Sequence, residues 1–98
     1  MTRIVIRELI WDAFNTEHIK KHAVNQDEII VSIQNASYHK RAHRGRYMTV
    51  GRAGKRILTV ILRRKRITTY YLVTVRDANK KERRVLYEKE KSNRLQNS

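Results

Sequence analysis

Trp11, Asn15, His18 and His22 are spaced by four, three and four, so on a helix they fall in one stripe, with Phe14 and Ile19 beside it. That stripe is expected to point toward a sheet. Two histidines one turn apart can chelate a metal ion, but the chain has no cysteine and no third ligand stands out, so no metal site is expected. His18 is better read as a hydrogen-bonded residue of the core or its rim. His22 ends the helix beside Lys21, within reach of solvent, where an imidazole can act as general base or acid near neutral pH.

A second stripe lies near the C-terminus. If a helix begins near Arg76, then Arg76, Lys80, Arg83 and Tyr87 share one face at spacings of four, three and four, and Ala78, Val85 and Leu86 dock on the other side. Arginine grips a phosphate bidentately and lysine adds a point charge. Tyr87 can stack on a base or donate a proton. The plainer alternative is a solvated face on which Glu82 pairs with neighbouring Lys or Arg, and for Lys80 both readings stay open. Arg76 follows an expected strand, so the sheet edge should hold it.

Among the strands, Arg46 and Arg52 share a side with Met48 and Val50, whereas Tyr47 and Thr49 take the other. Gly51, next to Arg52, permits close approach of a backbone or a ligand. Arg63 to Arg66 read as a basic hairpin tip suited to nonspecific backbone contact. The sequence contains no Walker loop, dinucleotide fingerprint, nucleophile elbow or paired catalytic carboxylates. That disfavours enzymes dependent on nucleotide cofactors, and no cofactor is expected.

The charge balance says what these cations are for. Against 9 Asp and Glu stand 23 Lys and Arg, a net charge of +14, and from Ile29 to Val75 there are eleven basic residues and no acidic one. Self-repulsion of that density weakens a small domain unless a polyanion relieves it. Solubility alone is usually served by mixed charges. An anionic membrane is a poor alternative, because no helix pairs a basic face with a wide apolar one. No apolar run approaches a membrane span, and the absence of cysteine fits a reducing cytoplasm.

The elements that must position these groups follow from periodicity. Arg3 to Ile10 alternates as a first strand. Asp12 caps a helix to about His22, and Asn25 with Glu28 opens a second helix that buries Ile29, Ile30, Ile33 and Ala36. Strands follow at Tyr38 to Ala42, Arg46 to Arg52, Arg56 to Arg63 and Ile67 to Val75, with gaps short enough for hairpins. A last helix runs from about Ala78 to Lys89. The expectation is one α+β domain over residues 1–90. It has an antiparallel sheet of four to five strands, two helices in the N-terminal half and one at the C-terminus, all on one sheet face. Residues 91–98 read as an unstructured tail.

Trp11-Asp12, Asn15, His18-Ile19, His22 and Val24, then Gly51-Arg52, Leu58 with Val60, Val75-Arg76 with Ala78, and Glu82-Arg83-Arg84 with Tyr87 resemble the BrnT family of bacterial type II toxins. The likeness covers about Trp11 to Tyr87. Ala13 and Ala23 stand where that family often has Pro and Gly, and Tyr38 to Arg46 is more basic than its pattern. The resemblance implies a RelE-like fold and metal-independent cleavage of RNA. It also implies a cognate antitoxin, commonly with a ribbon-helix-helix DNA-binding part.

Cutting RNA through its own 2′-hydroxyl needs a base for that proton, cations for the charge gathering on phosphorus, and a donor for the departing 5′ oxygen. With the resemblance, His22 or Glu82 is the candidate base, and Arg52, Arg76 and Arg83 stabilise the phosphorane. Lys21 or Tyr87 assists the leaving group. Lys21, Arg46, Arg63, Arg64, Lys80 and Arg84 are the expected RNA-backbone contacts. Two rival readings remain open at this point: a noncatalytic RNA- or DNA-binding module, and a basic partner of an acidic protein.

Overall fold

The computed structural model describes the backbone of residues 4–96 and the side chains of residues 4–92. Its three helices start on reciprocal caps. Asp12 opens α1 (Ala13–Lys21): its carboxylate accepts from the Asn15 N–H at 2.8 Å, and the Asn15 side chain accepts from the Asp12 N–H at 2.9 Å. Asn25 and Glu28 do the same for α2 (Gln26–Gln34), as their spacing predicts. Asn79 and Glu82 repeat the pattern for α3 (Lys80–Gln96).

This third cap moves the start of the last helix from the expected Ala78 to Lys80. Arg76 therefore stays on a strand and is not part of one helical stripe with Lys80, Arg83 and Tyr87. The far end of α3 also differs from expectation. The helix passes Lys89 and runs to Gln96, because Glu88 to Gln96 contains no Gly or Pro and is rich in straight-chain residues of good helix propensity. The expected tail at 91–98 is thus helical as far as 96, and residues 97–98 lie outside the described ones.

The sheet holds five strands, β1 (Glu8–Ile10), β2 (Tyr38–Arg41), β3 (Arg46–Ala53), β4 (Arg56–Arg66) and β5 (Thr69–Asp77), in the order β1-β5-β4-β3-β2. From β2 to β5 it is the expected antiparallel meander. β1 instead pairs with β5 in parallel, so the sheet is mixed. No hairpin joins those two strands, and nothing local dictates their relative direction.

The helices cover both faces of the sheet, where one was expected. Leu58, Val60 and Leu62 of β4 pack with Tyr70, Leu72 and Val75 of β5 against Ile19 of α1, Ile29 of α2 and Val24 from the turn between them. Val50 and Ile57 turn the other way and meet Ala78 and Leu86 at α3. The cause is the unbroken run Ile57-Leu58-Thr59-Val60-Ile61-Leu62, which has apolar groups on both sides of the pleat. Ile30, expected to be buried on α2, is exposed.

Two close fits fix the first face. At Gly51 a Cβ would lie 1.9 Å from the Ser32 carbonyl oxygen, so α2 rests directly on the β3 backbone. Past Tyr71, where β1 ends, α1 takes over the edge of β5. There the fully buried Asn15 amide donates to the carbonyls of Leu72 at 3.1 Å and Ile10 at 2.9 Å, serving an edge that has no further strand.

Candidate active site

Glu82, one turn into α3, faces the sheet and joins three elements. Arg76 of β5 donates to both of its carboxylate oxygens, at 2.7 and 2.8 Å; Thr59 of β4 donates its hydroxyl at 2.9 Å, and the Asn79 N–H donates at 2.9 Å. Burial pushes the Glu82 carboxyl up, but the hydrogen bonds from Arg76, the Asn79 backbone and Thr59 outweigh it and hold the pKa down to about 2. The same bidentate pair raises the Arg76 pKa against its own desolvation. Arg76 is fixed yet remains 43% exposed, so a bound anion can reach it.

The edge of β5 leading to Arg76 is lined by α1. This helix runs along β5, with Asn15 at Leu72 and His18 Nε2 2.8 Å from Thr74 Oγ1. One more turn, about 6 Å, carries α1 to His22. Two residues of β5, about 7 Å, lead from Thr74 to Arg76. His22 and Arg76 therefore lie at a similar height along β5, with Arg76 turned to the α3 face by Glu82. Arg56 joins the turn after α1 to the end of β5, donating to the Ala23 carbonyl at 2.7 Å and to both carboxylate oxygens of Asp77 at 3.2 and 3.3 Å. The His22 ring is exposed, tilted 57° to His18 with centroids 5.1 Å apart, and Lys21 next to it is exposed too. Among the described residues, no three potential metal ligands gather around the two histidines.

The sheet face under α3 is only partly covered. Lys40, Met48, Ile61 and Thr74 form one cross-strand row, and Arg46, Arg63 and Tyr71 the next. Arg46 and Arg63 are directly opposite, a like-charge pair that destabilises an isolated sheet. Neither has an ion pair among the described residues, and the buried Arg46 Nε has no hydrogen-bond partner.

The other expected site residues divide. Arg52 donates to both oxygens of Glu90, at 2.6 and 3.0 Å, and lies 5.5 Å above the Tyr87 ring. Glu82 and Glu90 are two helical turns apart, about 12 Å along α3. Arg52 and Tyr87 thus sit on the same side of the sheet as Arg76 but do not converge with it on one phosphate. Arg83 is exposed and donates back to the Ala78 carbonyl at 3.2 Å, near the Arg76 end. Lys80 and Arg84 are exposed on α3. Arg64 belongs to the opposite face, donating to the Tyr70 hydroxyl at 3.0 Å and lying over Tyr47 and Tyr70.

Thr59, Thr74, Arg56 and Asn79 all position this site, and sequence reasoning passed over them. Strand alternation puts Thr59 on the α3 face with Ile57 and Ile61, and Asn79-x-x-Glu82 has the spacing already recognised at Asn25. The contacts of Arg56 and Thr74 are long-range and leave no local signal.

Fold and site together define an α+β sandwich whose mixed sheet presents a basic, partly open face under its last helix. The crystal structure of the Brucella abortus ribonuclease toxin BrnT is similar, with a TM-score of 0.59 over 74% of this chain and 97% of that one, at 21% identity. The BrnT resemblance read from single residues therefore holds at the level of the fold. No family model matches the sequence, and no curated protein matches it. Among the described residues, no helix is long and apolar enough to cross a membrane.

Proposed function

We propose that this protein is an endoribonuclease toxin of a type II toxin-antitoxin system, acting in the cytoplasm and cutting RNA through the 2′-hydroxyl without a metal ion. The fold shared with a ribonuclease toxin supports the class. The observation that carries the reading is the Arg76 guanidinium, fixed by Glu82 yet 43% exposed, at the border of a sheet face whose Arg46 and Arg63 have no ion pair among the described residues, with exposed His22 following the helix that lines the same strand edge.

In this reading Lys40, Arg46 and Arg63 hold the RNA backbone, with Lys80, Arg83 and Arg84 along its flank. His22 removes the 2′-hydroxyl proton, and the 2′ oxygen attacks phosphorus. Arg76 meets the charge on the phosphorane, and Lys21 gives a proton to the 5′ oxygen as the P–O5′ bond breaks. The products are a 2′,3′-cyclic phosphate and a 5′-hydroxyl. Glu82, with a pKa of about 2 and both oxygens engaged, positions Arg76 and is not the base. Arg52 and Tyr87 hold α3 on the sheet. An acidic antitoxin, with a ribbon-helix-helix DNA-binding part, covers the basic face until it is removed.

The test is cleavage of an end-labelled single-stranded RNA in excess chelator. The wild-type protein should yield cyclic-phosphate ends, and a strand of 2′-deoxy residues should bind without being cut. His22→Gln and Arg76→Ala, each checked for folding, should lower kcat by about 10²- to 10³-fold. Tight binding without any cleavage would overturn the reading in favour of a nucleic-acid-binding module. Cleavage only with added metal would overturn the mechanism.

A further inference from the structure

Phe14 has no place in the chemistry above, yet it is 74% exposed on the first turn of α1. Its ring is within 7° of parallel to that of His18, with centroids 6.5 Å apart. His18 in turn is held on the sheet by Thr74. An aromatic face is thus displayed to solvent beside a second ring whose position is fixed. Alongside runs a groove of about 450 Å³ lined by Ala13, Phe14, Glu17, His18 and Lys21. Besides the His18 imidazole, its polar side chains are one carboxylate and one ammonium. The carboxylate can accept from an exocyclic amine, and the ammonium can meet a ring carbonyl or a phosphate. Glu17 makes an exposed ion pair with Lys20, at 3.3 Å, which competes weakly.

We infer that Phe14 and His18 form a stacking platform for an unpaired nucleobase of the RNA, with Lys21 and Glu17 at its rim. This rests on the reading of the protein as an RNA-cleaving enzyme and adds where the substrate is gripped by a base rather than by its backbone. Placement favours a base over other occupants. The stripe Phe14, His18, His22 climbs α1 toward the Arg76 end of β5, so a strand whose phosphate lies at Arg76 has its neighbouring nucleotide over these rings. A basic last turn, with Lys20 and Lys21, borders the groove. Stacking on an aromatic face tolerates any base, so it suits an enzyme that holds single strands by charge.

The probe is a set of trinucleotides with 2′-O-methyl riboses, which cannot be cut, carrying 2-aminopurine at each position in turn. One position should lose fluorescence on binding to the wild-type protein, as a stacked base does. Phe14→Ala should restore that fluorescence and weaken binding roughly tenfold, the expected loss of one stacked base. Phe14→Trp should retain both effects. Because the ring is exposed, both variants should melt with the wild type. Equal quenching and affinity in Phe14→Ala, with RNA cleavage intact, would overturn the platform and leave the enzymatic reading standing. So would loss of a protein partner in Phe14→Ala with RNA binding unchanged. If the wild-type protein neither binds nor cuts RNA, both inferences fail together.

Discussion

Four hydrogen bonds converge on the carboxylate of Glu82, and they make it a pH-dependent strut. Its pKa is lowered from the usual 4.5 to about 2, so the stability it contributes is present above pH 4.5 and is lost as pH falls through 2. The shift corresponds to about 3 kcal/mol. Denaturant unfolding followed from pH 6 to pH 2 should show the wild type losing about that much more stability than Glu82→Gln. Parallel curves would mean the carboxylate is not held in this way. Ala23, just past the end of α1, is a second local feature with a measurable consequence. It sits at φ 54, in the left-handed region that favours glycine. Ala23→Gly should raise stability by about 0.5 to 1 kcal/mol, a rise of roughly 4 °C in Tm. An unchanged melt would show the strain is absorbed elsewhere. Both residues were visible in the sequence, Glu82 in a site segment and Ala23 as a departure from the BrnT pattern. What could not be read there was their conformation, because Thr59 and Arg76 reach Glu82 from two other elements.

At the scale of elements, the packing of α2 on β3 turns on one missing side chain. Gly51→Ala drives a methyl group into the Ser32 carbonyl, which is backbone and cannot swing away. The helix must lift from the sheet. The variant should lose about 3 kcal/mol in a denaturant titration, at the upper end of ordinary overpacking, and expose Ile29 and Val24 to a hydrophobic dye. A loss under about 1 kcal/mol would show that α2 shifts freely. The same scale shows why some elements were legible and others not. Caps are local hydrogen-bond patterns, so Asp12 and Asn25 marked two helices correctly, and runs of β-branched and aromatic residues between short turn segments marked β2 to β5. The pairing of β1 with β5 and the arrival of α3 on the second face depend on long-range contact. Alternation along β4 is masked by apolar residues on both sides, so the sequence could not say which face a helix would take. Asn15 read as part of a helical stripe, but its amide completes the edge of β5, a role that only the assembled sheet creates.

For the molecule as a whole, charge sets folding and binding against each other. A net charge of +14 on 98 residues, with Arg46 opposite Arg63 and no ion pair at either among the described residues, stores repulsion that screening relieves. In the proposed function the same cations gain by releasing counterions from RNA, a gain that salt removes. The two responses must therefore have opposite signs. As NaCl rises from about 20 mM to 500 mM, Tm should climb while affinity for an uncleavable single-stranded RNA falls steeply. On a plot of log affinity against log salt, Arg46→Ala should flatten the slope by about 0.7, the contribution of one phosphate contact in a single strand. In low salt the same variant should melt higher than the wild type, because it removes one member of the like-charge pair. A variant that lost stability and kept the full salt slope would assign Arg46 to the fold and remove it from the RNA path. If both shifts occur, the repulsion that weakens the free protein is the one that a bound polyanion relieves, and an acidic partner seated on this face would stabilise the protein as it covers it.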